Sequence, residues 1–484
     1  MQQRLLALSS KVNSISSTLI NSGTQLVKHG LSIRPQRMLT NPIQSNTLHS
    51  AARNHYNPRP NTHVTTHAIT QALRKTTPQK PILNAWQKAA IETLLAEQKH
   101  CPETPIYLLF KIDGVNVYAK DERQFTGSHK HRLARSLLLH ALRNGLIDSN
   151  TRLIDASSGG TACSEAYFAK LLHLPYTAVV ARNTPKKNLD AITAHLGNIV
   201  ECEPGQDKTL AEKLGKEPGW YFIDHFTNAS IATDKEKNIA SELTAQFQKM
   251  NTPMPRYVVC GIGTGGTSTI LGNYFQQHGF DKTEVIAGDP ENSAFYPAFQ
   301  THDRNIATGI FSRIGGIGRP TVEPAFDPTK IADMIAVPDA ASIAGCHFLQ
   351  HVSGLHTGGS TGTNVYTCFE LIERMRQRGE KGSILMFLFD HGKLYENTYY
   401  NPEWLRKQKI NIEPYLHNLM NVYGNFSDNS SLSKTEPLSS SAPARFHPCP
   451  TERPRLFNAK LASSETKQEE ILPVMIDCDT TFKP

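Results

Sequence analysis

The sequence predicts an α/β protein with a doubly wound, parallel-rich body, and three observations carry that prediction. From about Asn84, short apolar runs alternate with stretches of helical periodicity. Turns of small residues follow several of those runs. The chain on either side of this region is polar and lacks sustained apolar periodicity. Alternating strands and helices imply parallel strands joined by crossover helices, with helices on both faces of the sheets.

Each element has its own signal. NAWQKAAIETLLAEQKH has helical spacing, and IYLLFK and VNVYAK flank Asp113-Gly114, a hairpin turn. In FTGSHKHRLARSLLLHALRNG, Thr126, Gly127 and Ser128 form a tight turn; Leu133, Leu137, Leu138 and Ala141 then recur at helical spacing until Gly145, so a helix begins at Lys130. RLIDA, YTAVVAR, YFIDHF, RYVVCGI, EVIAGD and SILMFLFD read as strands. TACSEAYFAKLLH, EKNIASELTAQFQKM and GTNVYTCFELIERMRQRG read as helices. The Ser-, Pro- and Asn-rich NFSDNSSLSKTEPLSSSAPARF belongs to a disordered tail. The expected organisation is a front over 1–80, a catalytic α/β region of two interleaved subdomains over 81–415, and a tail over 416–484.

Composition narrows the function classes. Hydrophobic residues make up 39% of 484, and no apolar run approaches the roughly 20 residues of a membrane span. The eight cysteines are dispersed without a CxxC pair, so neither a zinc site nor a disulfide framework is indicated. Eleven Lys and Arg and no acid precede Glu92, so the net charge of +8 leaves roughly −3 for the remainder. In that front, Leu5, Leu8, Val12, Ile15 and Leu19 fall on one helical face beside Arg4 and Lys11. This is the pattern of an organelle transit sequence, here toward the mitochondrial matrix. A basic extension of a cytoplasmic protein fits the same composition. Binding to nucleic acid or anionic lipid is a third reading, without a recognised fold behind it.

The chemistry lies in the turns. At a helix N-terminus the dipole disfavours a second positive charge, which biases Lys130 toward the neutral amine a Schiff base needs. VVCGIGTGGTSTILGNYF is a strand, a glycine loop and a helix: Gly261, Gly263 and Gly266 fit GxGxxG, with Asp289 closing the next strand. That is the outline of a dinucleotide-binding fingerprint, so a nicotinamide oxidoreductase is a rival reading. The same loop, with Thr264 and Thr267, also suits any phosphate at a helix start. In DASSGGTACSEAYFAKL, Ser157, Ser158 and Thr161 surround Gly159 and Gly160, a turn suited to a carboxylate. GGIGRP and GGSTGTN are two further turns of this kind. Such turns at strand carboxyl ends converge on one crevice in an open α/β sheet. A phosphate loop, a carboxylate loop and a reactive lysine together describe pyridoxal phosphate plus an amino acid.

FTGSHKHRLARSL, ASSGGTACSEAYFA, GTGGTS, DPENSAF, SRIGGIGRPTVEP, VPDAAS, GGSTGTN and FDHGKLYENTYYNPEWL follow one another from about Asn84 to Pro414. In this order they resemble the fold type II pyridoxal-phosphate enzymes, the two-domain, tryptophan synthase β-like fold. Within these the likeness is to the cysteine synthase and cystathionine β-synthase family, nearest the L-cysteine desulfhydrase branch. The resemblance implies that Lys130 carries the cofactor covalently and acts as general base. It implies that Gly263, Thr264, Gly265, Gly266 and Thr267 hold the phosphate. Ser157, Ser158, Gly159 and Thr161 receive the substrate carboxylate, and Gly316, Ile317 and Gly318 line the substrate pocket. Three positions depart from the family pattern. Gly160 stands where an Asn contacts the cofactor's ring oxygen. Asp390, His391 and Gly392 replace a DSG motif, putting His391 where a serine faces the pyridine nitrogen. His129 precedes the lysine, where a small or apolar residue is usual. The implied reaction is β-elimination on L-cysteine, giving sulfide, pyruvate and ammonia. The alternatives are β-replacement, as in cysteine synthase acting on O-acetylserine or in cystathionine β-synthase, and a degenerate member without activity. A homodimer is implied; no metal and no nucleic-acid partner is expected.

Overall fold

The structure, a computed structural model, describes residues 81–232 and 238–426. The transit-like front over 1–80 and the chain from 427 lie outside the described residues. Among the described residues ten strands form two sheets. They are β1 (Ile106–Ile112), β2 (Val115–Asp121), β3 (Arg152–Ala156), β4 (Tyr176–Ala181), β5 (Asn198–Cys202), β6 (Trp220–Phe222), β7 (Tyr257–Gly261), β8 (Glu284–Pro290), β9 (Asp333–Val337) and β10 (Gly382–Leu388). The larger sheet has the order β1-β2-β10-β7-β8-β9 and the smaller β5-β4-β3-β6. Every pairing is parallel except β1 with β2. That exception is the expected hairpin, with Asp113 and Gly114 at φ 48° and 76°. Positive φ at both central residues matches the right-handed twist of the strands they join.

The sequence reading missed β5 and β9, and both are short strands at sheet edges with mixed burial. An edge strand has one unpaired side and carries a weaker apolar pattern than a central one. YFIDHF is a strand only to Phe222, because Asp224 adopts φ 45° and His225 opens a helix, His225–Ala232.

The helix Lys130–Arg143 buries Leu133, Leu137, Leu138 and Ala141, as its periodicity requires. Its polar face is anchored as firmly. Arg132 bonds Glu122 and Glu242, and the fully buried Lys120 donates to Glu242 Oε1 at 2.8 Å. This network ties the lysine's helix to the end of β2 and to the helix Ile239–Lys249. In the larger sheet Phe110 packs edge-on against Phe348 at 5.7 Å, and Tyr423 packs edge-on against Phe110 at 6.0 Å. Tyr423 belongs to the helix Glu413–Phe426, whose Leu419 is 1% exposed. The packed region therefore runs at least eight residues past the expected boundary at Tyr415, to Tyr423. No helix among the described residues is long and apolar enough to cross a membrane.

Candidate active site

Lys130 opens its helix directly behind a turn in which Phe125 and Gly127 have φ 62° and 88°. An antiparallel bridge joins Ser128 to Asp390, and His129 N–H donates to the Phe389 carbonyl at 3.3 Å. The turn is thus stitched to the chain leaving β10. Lys130 Nζ lies 2.7 Å from His129 Nε2. Burial lowers the lysine's pKa to about 8, with Asp390 opposing the shift. The expected neutral bias is present, and loss of solvent is its largest cause.

Asp390 Oδ2 accepts the Tyr395 hydroxyl at 2.6 Å, while Oδ1 is buried without a donor among the described residues. Burial raises this carboxyl to about 6, against the opposing effects of Tyr395, Lys130 and Arg123. His391, expected at the cofactor's ring nitrogen, is exposed. Partial burial and then the Arg123 guanidinium hold its imidazole below its ordinary range, with Asp121 and His356 also nearby. The reason is parity. Asp390 is bridged to Ser128 and His391 to Thr357, and successive side chains in extended backbone point to opposite sides. The side chain facing the lysine is Asp390.

The carboxylate turn follows β3. Ser157 Oγ accepts the Ala162 N–H at 3.3 Å, and the Ser158 carbonyl accepts Asn188 Nδ2 at 3.0 Å. Thr126 Oγ1 lies 2.7 Å from Ser164 Oγ, which donates to the Gly160 carbonyl, so this turn and the lysine turn share one hydrogen-bonded wall. A Cβ at Gly160 would overlap Ser128 Oγ and lie 3.2 Å from Ser128 Cβ. A side chain at this position would require Ser128 to turn away from the Lys130 N–H that it now accepts.

The glycine loop follows β7. Gly265 has φ 91°, and a Cβ there would lie 2.5 Å from Phe326 Cα. A Cβ on Gly263 would lie 2.5 Å from the Gly316 carbonyl. Gly318 N–H donates to the Ile262 carbonyl at 2.8 Å, so the expected phosphate and pocket loops are laced together. Ile317 corrects the expectation for that loop, because its side chain is 4% exposed and packs under Gly261 in the core. Gly316 is exposed and is left to shape the surface, whereas Gly318 is buried. Asp289, which a dinucleotide would need for its ribose, is fully buried, and its Oδ2 accepts the Tyr296 N–H at 2.8 Å. The nicotinamide reading loses its acid.

These pieces form a continuous path. Lys130 faces Asp390, Asp390 holds Tyr395, Tyr395 abuts Gly315, and Gly316 meets Gly263. At the helices starting at Lys130, Gly160, Gly266 and Gly359, as at those starting at Lys186, Asp207, Phe295 and Asp339, the N-cap residue makes no side-chain bond. The Ser128, Ser157 and Thr264 hydroxyls accept one first-turn N–H each, of Lys130, Ala162 and Gly266, and leave the others of those turns open. The helices starting at Ala85, Ile239 and Pro402 are each capped by an asparagine. Open N–H groups suit anionic ligand groups. A recessed amine, a glycine cradle that no side chain would enter, and the orphaned Asp390 Oδ1 together fit pyridoxal phosphate. Asp390 and Tyr395 are the residues that sequence reasoning missed as site members, and only the bridge parity reveals them.

Comparisons with known proteins agree. Residues 98–390 match the pyridoxal-phosphate dependent enzyme family. An L-cysteine desulfhydrase of Mycobacterium tuberculosis, Cds1, is 41% identical over 343 residues, covering 68% of this chain and 92% of that protein. A putative pyridoxal-phosphate dependent protein of Caenorhabditis elegans is 28% identical, covering 66% of this chain and 81% of its own. Among solved structures, O-ureido-L-serine synthase superposes with a TM-score of 0.55 at 23% identity, covering 66% of this chain and 95% of its own. A hydrogen sulfide-producing enzyme superposes with a TM-score of 0.54 at 21% identity, covering 63% and 91%. At these identities the two structures speak for the fold.

Proposed function

The chain belongs to the pyridoxal-phosphate dependent enzymes, and from that premise we propose that it converts L-cysteine and water to sulfide, pyruvate and ammonia. The observation that carries the reading is Lys130, a recessed amine brought toward neutrality at about 8 whose side chain lies against the carboxylate turn at Gly160. The likeness to an L-cysteine desulfhydrase supports the choice of substrate and of elimination.

Bound here, pyridoxal phosphate would supply an electron sink for a carbanion at the substrate Cα. The protein's part is binding, orientation and proton transfer. Lys130 would hold the cofactor and serve as the base for the Cα proton, which a neutral amine can accept and an ammonium cannot. Gly263, Thr264, Gly265, Gly266 and Thr267 would receive the phosphate on open N–H groups and hydroxyls. Ser157, Ser158, Gly159 and Thr161 would fix the substrate carboxylate, and Gly160 would leave Ser128 room beside the lysine. Asp390 would sit opposite the amine as a carboxyl able to carry or release a proton near pH 6.

The test is to incubate purified protein with pyridoxal phosphate and L-cysteine and to measure sulfide, pyruvate and ammonia in equal amounts. Lys130→Ala is expected to keep the fold and lose both turnover and the visible absorbance of the attached cofactor. Sulfide consumption with O-acetylserine and no pyruvate from cysteine would assign the chain to β-replacement. Borohydride reduction that fixes the pyridoxyl group on another lysine would remove the central assignment.

A further inference from the structure

Beneath the carboxylate turn lies a cluster that the proposed chemistry does not use. Asp155 is the penultimate residue of β3 and Glu165 sits one helical turn after Thr161; both are 0% exposed. The two acids therefore flank the turn, one at each end, and their side chains meet under it. One ligand atom from each of Asp155, Glu165 and His225 lies within 4.8 Å of the others. Asp155 Oδ1 accepts the Ala156 N–H at 2.7 Å; its Oδ2 accepts the His225 N–H at 3.3 Å and lies 3.0 Å from His225 Nδ1. Tyr176 on β4 donates its hydroxyl to Glu165 Oε2 at 2.8 Å. Glu165 Oε1 has no donor.

Two adjacent carboxylates without solvent cannot both be ionised unless something positive lies between them. Among the described residues no Lys or Arg bonds either one, and the one basic side chain in contact, His225, bonds Asp155 and leaves Glu165 without a cation. A divalent metal would need several free lone pairs at about 2.0–2.2 Å. Three of the four carboxyl oxygens already have N–H or O–H partners, and one is open. One open oxygen beside an acceptor is the place for one proton.

We propose that Asp155 and Glu165 share a single proton, carried on Glu165 Oε1 and donated to Asp155, and that this acid pair clasps the base of the Ser157–Thr161 turn. Its functional half rests on the reading that this turn receives the substrate carboxylate. Burial and then Asp155 raise the Glu165 pKa well above the ordinary range; for Asp155, burial is outweighed by His225 and by the proton it receives, so it remains the anion. The other titratable groups facing the pair are Cys163 on the helix of Glu165, Tyr176 on β4, Tyr221 on β6, Asp224 beside β6 and His225. Cys163, Tyr176 and Tyr221 are raised by burial and stay neutral, so they add no further negative charge beside the pair. The native state keeps a proton that an unfolded glutamate releases above about pH 4.3. Stability from the clasp is therefore present at low pH and lost as pH rises through the native value.

The experiment uses the holoenzyme at about pH 8.5, above the values to which burial raises Asp289 (about 7), Asp339 and Asp390 (about 6 each). Infrared spectroscopy should show the carbonyl stretch of a buried neutral carboxylic acid, absent in Glu165→Gln and shifted in Tyr176→Phe. Glu165→Gln keeps a donor toward Asp155 and should hold KM for cysteine within about twofold while flattening its rise at alkaline pH. Glu165→Leu, which leaves Asp155 without that donor, should raise KM about tenfold or more with a smaller change in kcat. Absence of the band in the parent overturns the clasp, whatever the activity. So does one equivalent of bound divalent metal that Glu165→Gln abolishes. An unchanged KM in Glu165→Leu overturns the positioning role while the band stands. A protein that shows the band but does not process cysteine refutes the substrate reading alone.

Discussion

Restoring the family's asparagine at Gly160 is expected to harm this protein. The first atom of any side chain there overlaps Ser128 Oγ and comes within 3.2 Å of Ser128 Cβ and 3.6 Å of Lys130 Cγ. Ser128 must turn away, and its Oγ then no longer accepts the Lys130 N–H, now at 3.2 Å. Loss of that bond costs about 0.5–1.5 kcal/mol. Forcing extra atoms into a packed wall costs about 1–3 kcal/mol. The total, about 1.5–4.5 kcal/mol, reaches or passes the roughly 1.5–3 kcal/mol that a new hydrogen bond to the cofactor can return. Gly160→Asn should therefore unfold at lower denaturant than the parent and retain less cofactor, measured by urea titration and visible absorbance. Ser128→Gly combined with Gly160→Asn should recover at least about 1 kcal/mol of coupling in a double-mutant cycle. A single Gly160→Asn variant with the parent's midpoint and full cofactor, and no coupling to Ser128, would refute the steric account.

Two further outcomes separate neighbours that the sequence could not. The native Asp390 binds a proton between its unfolded value near 3.8 and about 6, so stability falls as pH rises across that window; Asp390→Asn should flatten the dependence of the unfolding midpoint from about pH 4 to 6. His391→Ser, by contrast, should leave the cofactor spectrum and the pH–rate profile overlaying the parent, which steady-state kinetics and absorbance would check. A chain ending at Tyr415 loses Leu419 and Tyr423 from the core and should be less stable than one ending at 426 by about 3 kcal/mol or more, read by equilibrium unfolding.

The features legible in the sequence are those encoded within a few residues of one another. The turn before Lys130, the apolar stripe of its helix, the Asp113-Gly114 hairpin and the glycine loops each follow from local spacing. The residues misplaced depend on distant partners. His391 and Asp390 are adjacent, and choosing between them requires the bridge from Asp390 to Ser128, more than 260 residues earlier. Ile317 sits in a loop whose glycines suit a pocket, and it is drawn into the core by the space above Gly261. The last helix did leave a signal: Leu416, Leu419, Met420 and Tyr423 recur at helical spacing. The polar residues around them, and the Ser-rich run that follows, obscured it. The meeting of Asp155 and Glu165 cannot be read along the chain, because it exists only once β3 and the following helix have folded over the turn.

The helix starts at Lys130, Gly160, Gly266 and Gly359, which carry the turns assigned to ligand anions, bear on the protein's lifetime in a cell. A fold that leaves N–H groups open where ligand anions belong is completed by what binds there, so the loaded chain is stabilised by mass action in proportion to occupancy. Freshly made chains that have not met the cofactor spend more time partly open and are degraded first. Abundance of this protein is then expected to follow cofactor supply, and the asparagine caps at Ala85, Ile239 and Pro402 hold parts of the fold that do not depend on the cofactor.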